Sequence, residues 1–135
     1  MEHDVASIQA LLDPLLPGHL GIKFVSLEKE RVVAEMVARQ NICTTSGFLH
    51  GGAYMAFADT LGAVGTFLNL PEGTRTTTTD SSTKFMAAVP VNGKVTGESI
   101  ALHRGRTTMV WQTSIRREDG KLCAVVTQTQ LVISK

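Results

Sequence analysis

Apolar residues recur at helical spacing near the start of the chain. Val5, Ile8, Leu11, Leu12 and Leu15 share one face and are followed by Pro17-Gly18. This pattern predicts a short amphipathic helix over residues 5–16, closed by helix breakers. The spacing then falls to a period of two. Residues 20–27 and 31–39 predict strands joined at the charged turn Glu28-Lys29-Glu30, with Val32, Ala34 and Met36 alternating with Val33, Glu35 and Val37. Residues 74–86 are rich in β-branched side chains. Further strands are predicted over 94–102, 107–116 and 121–133, separated by turns at Asn92-Gly93, Gly105 and Glu118-Asp119-Gly120. Helices and strands are segregated along the chain. That predicts an α+β fold with an antiparallel sheet, not a doubly wound one. No repeat or linker interrupts the pattern, so residues 1–135 read as one domain.

Between these blocks lies FLHGGAYMAFADTLGAVGTFLNL, residues 48–70. A helix apolar on every side is expected to be buried on every side. Each glycine in it lowers intrinsic helicity by about 1 kcal/mol, so packing must hold it. A curved sheet wrapped around one central helix would do so. Asp59 stands in the middle of this segment, where a carboxylate is expensive unless it is paired or reaches a cavity. It either bonds a buried hydroxyl or backbone group, or serves as a general base or nucleophile. The His50-Gly51-Gly52 step has its own chemistry. If Thr44, Thr45 or Ser46 caps the helix, the first-turn N–H groups of these three residues lack intrahelical acceptors. They would then face a developing oxyanion at the positive end of the helix dipole. A plain glycine turn with a satisfied His50 would give the same letters. Nine residues separate His50 from Asp59, about 13 Å and half a turn out of phase along a helix. One chain cannot aim both at one reacting carbonyl. If both act, Asp59 of one subunit faces the helix start of another, which predicts a two-fold dimer with two composite sites.

Composition narrows the field. The chain is 43% hydrophobic and carries a net charge of +1, with Lys and Arg scattered, so neither a nucleic-acid groove nor a basic membrane patch is expected. The start, MEHDVASIQALLDPLL, is acidic and does not resemble a secretory leader. The tract from 53 to 70 is interrupted by Asp59 and small or polar positions, which makes it a poor membrane span. Cys43 and Cys123 match no metal or redox spacing, which suggests free thiols in a reducing cytoplasm. No His/Cys/Asp cluster has ligand spacing, so no metal and no redox cofactor is expected.

The segment SGFLHGGAYMAFADTLGAVG resembles the hotdog-fold acyl-CoA thioesterases, in particular their phenylacetate-pathway branch. Those proteins carry Asn-x-x-Gly-x-x-His-Gly-Gly, then a helix with an acid nine positions after the histidine. Gly47, His50, Gly51, Gly52 and Asp59 match in type and spacing, and the element order agrees from about residue 20 to 135. The resemblance implies a hotdog fold, a curved antiparallel sheet around a long central helix. It implies that Gly52 and neighbouring amides, Gly51 among them, polarise the thioester carbonyl while His50 orients that loop or the thioester. Asp59 of the opposing subunit would attack the carbonyl or activate water. A hydroxyl on the strand after the helix, Thr77 or Thr78, would position water or carboxylate. His103-Arg104-Gly105-Arg106-Thr107 resembles the family's basic hairpin near the coenzyme A phosphates, where Arg104 and Arg106 suit phosphate oxygens; Arg75 is a further candidate. Trp111, Phe57, Tyr54, Phe85 and Met86 would line an acyl pocket or the core. Coenzyme A enters only as part of the substrate, and the assembly implied is a homodimer or a homotetramer built as a dimer of dimers. One position departs from the pattern: Thr44 stands where the family has asparagine, and its short hydroxyl cannot present an amide. Either Thr44 or Thr45 then substitutes in the catalytic site with changed geometry, or activity is altered or lost. That departure favours a rival, a non-catalytic acyl-CoA-binding hotdog protein. A hydratase or dehydratase chemistry would call for a different His-and-acid motif.

Overall fold

The structure, a computed structural model, describes residues 3–135. Its first helix, α1 (Val5–Leu12), is started by a capping box. The Asp4 carboxylate accepts from Ser7 N–H at 2.8 Å, and Ser7 Oγ accepts from Asp4 N–H at 3.1 Å. The single helix expected over 5–16 is in fact two. Pro14 has no N–H to continue α1, and the chain restarts as α2 (Leu16–His19). Pro17, expected to stop the helix, lies in the first turn of α2, where no N–H is needed. Gly21 then turns the chain with φ +75°, so the first strand begins at Lys23, later than expected.

Six strands form one sheet in the order β1-β2-β4-β5-β6-β3, each pair antiparallel. They are β1 (Lys23–Glu28), β2 (Arg31–Val37), β3 (Thr74–Phe85), β4 (Lys94–Arg104), β5 (Thr108–Arg117) and β6 (Leu122–Ser134). The long helix α3 (Gly51–Phe67) lies against β2 through β6. Close approach is possible because the contact points lack side chains. A Cβ on Gly65 would stand 2.5 Å from Trp111 Cη2, and one on Gly97 would stand 2.9 Å from the Phe57 ring. Phe57, Leu61, Trp111 and Ile115 are fully buried there.

Helix α3 is not buried on all sides, contrary to its composition. Ala53, Tyr54, Phe57, Ala58, Leu61, Gly62, Val64 and Gly65 face the sheet. A stripe through Gly52, Met55, Ala56, Asp59, Thr60, Ala63 and Phe67 remains exposed or half-exposed. One sheet layer covers one side of a helix; α1 packs mainly on β1, and α2 touches α3 only in part. No helix among the described residues is long and apolar enough to cross a membrane.

Strand β3 holds the detail that places the site. Its register with β6 shifts between Thr78 and Asp80, with Thr79 as the extra residue. Before the bulge, Thr76 and Thr78 share the inner face. After it, Thr83 and Phe85 pair with buried Val126 and Ala124, and Asp80, Ser82 and Lys84 turn outward. Without the bulge, strict alternation would carry Asp80 and Lys84 into the core.

Candidate active site

Asp59 lies on the half-open stripe of α3, beneath the inner face of β3. Thr78 Oγ1 donates to Asp59 Oδ1 at 2.6 Å. The parity of β3 decides between the two threonines suggested by the sequence: Thr78 points inward, and Thr77 points to the opposite, exposed face. Thr78 is paired in register with Gln130 of β6, whose Oε1 lies 2.6 Å from the same hydroxyl. Gln128 Nε2 donates to Gln130 Oε1 at 2.9 Å and also reaches Asp59 O at 3.3 Å and Oδ1 at 3.4 Å. Gln130 Nε2 donates to Thr76 Oγ1 at 3.1 Å. Both glutamines are fully buried. Sequence reasoning missed them, although the signal was present: in β6 the positions sharing a face with Ala124 and Val126 change from apolar to amide at Gln128.

One flank of Asp59 opens on an apolar groove of about 360 Å³, lined by Leu11, Leu12, Leu16, Ala63 and Phe67. A carboxylate held by a hydroxyl at the side of such a groove can act on a polar group whose apolar tail occupies it.

The helix start differs from the expectation. Thr44, Thr45 and Ser46 do not cap α3; His50 does, its Nδ1 accepting from Gly52 N–H at 2.8 Å. The acceptor Nδ1 leaves the proton of the neutral ring on Nε2. The His50 N–H donates to Ile42 O at 3.0 Å, and Ala53 N–H to His50 O at 2.9 Å. Gly51 N–H is therefore the first-turn donor without a partner among the described residues, whereas Gly52 N–H, the amide expected to polarise a carbonyl, is engaged by the ring. Thr44 is held in a local turn: its N–H donates to Phe48 O at 2.7 Å and its hydroxyl accepts from Ser46 N–H at 3.3 Å.

These groups do not converge within one chain. His50 and Gly52 line a hollow of about 230 Å³ with Asn41, Cys43 and Ala53, and Thr44 lines a neighbouring one with Gln40 and Asn92. Asp59 lines neither. Arg104 sits past the other end of α3, its Nη1 3.3 Å from Asn69 Oδ1. Seventeen helical residues, about 25 Å, lie between that end and His50. Gly105 permits the tight turn there, since a Cβ would meet His103 Nε2 at 2.4 Å, and Arg106 is exposed. Of the aromatic candidates, Tyr54, Phe57 and Trp111 are core residues, while Phe85 and Met86 are about half exposed beside Gly51. Burial pushes the Tyr54 phenol up to about 12.

Comparison with known proteins bears on the family and the fold. Residues 46–124 match the thioesterase superfamily. The chain is 34% identical over 122 residues to the proofreading thioesterase EntH of Klebsiella pneumoniae, a match spanning 90% of this chain and 88% of that protein. The crystal structure of thioesterase HI1161 from Haemophilus influenzae superposes with a TM-score of 0.93 at 30% identity, over 99% of this chain and 93% of that one. A mutant of thioesterase PA1618 from Pseudomonas aeruginosa gives a TM-score of 0.94 at 26% identity, over 100% and 97%. The six-stranded sheet wrapped on α3 is thus the hotdog fold, and the chain belongs to the thioesterase superfamily, as an enzyme that hydrolyses thioesters.

Proposed function

We propose that the thioesters are those of coenzyme A, with short- or medium-chain aliphatic or aryl acyl groups, and that Asp59 is the catalytic carboxylate. The observation that carries this reading is the 2.6 Å hydrogen bond from Thr78 to Asp59 at the side of an apolar groove. A carboxylate so held attacks the carbonyl or takes the proton from an attacking water. Gly51 N–H, without an intrahelical acceptor at the positive end of α3, is the donor available to the developing oxyanion, and His50 orders that helix start through its bond from Gly52 N–H. Thr44 lies beside them, in the place of the family's asparagine. Arg104 and Arg106, with Gly105 between them, supply donors for the coenzyme's phosphates.

The separation of Asp59 from His50 along α3 supports a composite site across a two-fold axis. The half-open stripe of α3 and the outer edge of β3, twelve residues long and unpaired in the sheet, are the surfaces a second copy would cover. A dimer of two such dimers would keep these sites intact.

The test is release of free thiol from a panel of aryl- and alkyl-acyl-CoAs, with Asp59→Ala alongside. Turnover that falls by orders of magnitude in the variant is the expected result. Unchanged turnover in Asp59→Ala would remove Asp59 from the chemistry, and no turnover on any acyl-CoA would place the substrate outside the coenzyme A thioesters.

A further inference from the structure

Strand β6 presents apolar side chains to the core at Ala124 and Val126, then two amides at Gln128 and Gln130, all four fully buried. Burying a primary amide carries a desolvation penalty that an apolar side chain of the same length avoids. The change falls where the strand passes Asp59, and the hydrogen bonds run toward that residue.

Gln128 is seated on α3 at Gly62, three residues past Asp59; a Cβ on Gly62 would lie 2.4 Å from Gln128 Cδ. From there its Nε2 reaches Asp59 O, Asp59 Oδ1 and Gln130 Oε1. Its own Oε1 is buried without a partner among the described residues. The amide is thus oriented for its donors at the expense of its acceptor. Gln130 is fixed at both ends, its Nε2 on Thr76 and its Oε1 between Gln128 and Thr78. The Thr78 hydroxyl has one proton and two acceptors at 2.6 Å. That proton is shared between Asp59 Oδ1 and Gln130 Oε1, so the hydroxyl ties the glutamine to the carboxylate.

We propose that Gln128 and Gln130 are positioning residues that act on the Asp59 carboxylate, Gln130 through the Thr78 hydroxyl and Gln128 by bridging Asp59 to Gln130. The proposal rests on the reading of Asp59 as the catalytic carboxylate. It assigns part of the carboxylate's aim to a strand that contributes nothing to the surface of the groove.

The experiment measures kcat and KM for thioester hydrolysis in Gln130→Met, Gln128→Met, Thr78→Val, the double variant Thr78→Val/Gln130→Met, and Asp59→Asn. Methionine keeps the length of glutamine and removes its hydrogen bonds. Each methionine variant is expected to lower kcat about tenfold or more through misaim of the carboxylate, with KM nearly unchanged. In the Thr78→Val background, Gln130→Met is expected to cost less than it does alone, because its route through Thr78 is cut and only the one through Gln128 remains. Thr76→Val, conservative in a strand, releases the Nε2 anchor of Gln130 together with the bond from Thr76 Oγ1 to Leu131 O, without touching Asp59, Thr78 or either glutamine side chain. It is expected to lower kcat severalfold, which keeps the test decisive should a methionine variant not fold. Wild-type kcat in folded Gln130→Met or in Thr76→Val would overturn the proposal, as would an equal loss in both Thr78 backgrounds. Asp59→Asn separates the two claims. If it retains full activity the catalytic assignment of Asp59 fails; if it is inactive while the glutamine variants are normal, only the positioning role fails.

Discussion

Asp59 stands out in the sequence because a carboxylate interrupts an apolar helix, whereas Thr78 is singled out, with Thr77, only by the family resemblance. Which threonine faces Asp59 depends on side-chain parity, and parity in β3 is reset at Thr79. Gln128 and Gln130 were missed because a polar residue in an alternating strand is assigned to the solvent face unless the strand's register is known. His50 was expected inside the first turn and instead caps it, a local choice between a ring nitrogen and the upstream hydroxyls that spacing does not settle. Tyr54 allows a test of burial at this scale, since it is the chain's single tyrosine. Burial raises its phenol to about 12, with the nearby Cys123 thiol adding to the shift. Absorbance titration is expected to show a native midpoint near that value, falling to about 10 in denaturant. The folded chain holds this proton more tightly than the unfolded one. Tyr54 therefore contributes stability in full below pH 10 and loses it as pH rises toward 12. A native midpoint near 10 would place the ring in water.

Among the elements, the strands after α3 were legible to within one or two residues, because Asn-Gly and Asp-Gly turns bound them and β-branched residues fill them. Helix α3 was legible as a helix, but its surroundings were not. Its small residues serve two purposes that composition cannot separate: they admit the sheet on one side, and they leave an open stripe on the other. Gly65 belongs to the first group. Replacing it by alanine would gain about 1 kcal/mol of helix propensity. The new Cβ would meet the buried Trp111 ring at 2.5 Å, and Trp111 is also held by its Nε1–H on Thr66 Oγ1 at 2.9 Å. Overpacking of that kind costs about 1–3 kcal/mol, so the clash outweighs the propensity. Gly65→Ala is expected to lower the urea midpoint with an unchanged slope; a raised midpoint would mean that the helix and sheet can separate at no cost.

For the molecule as a whole, the feature most directly legible in the sequence was an incompatibility. Nine helical residues put Asp59 and the His-Gly-Gly start half a turn out of phase, and the structure indeed opens them into different hollows. What the sequence could not show was the surface left over, namely the stripe of α3 and the long free edge of β3. The central claim is that the carboxylate of one subunit works on a thioester held at the helix start of another. The measurement that tests it most directly is subunit complementation, in which Asp59→Ala and His50→Ala chains, each inactive alone, are denatured, mixed and refolded together. In a composite geometry, one of the two sites in each hybrid dimer regains both groups. About half of randomly paired dimers are hybrids, so activity is predicted to return to about a quarter of wild type. Verified hybrid dimers with no recovered activity would contradict the account, because each chain would then carry its whole site and two damaged sites could not repair each other.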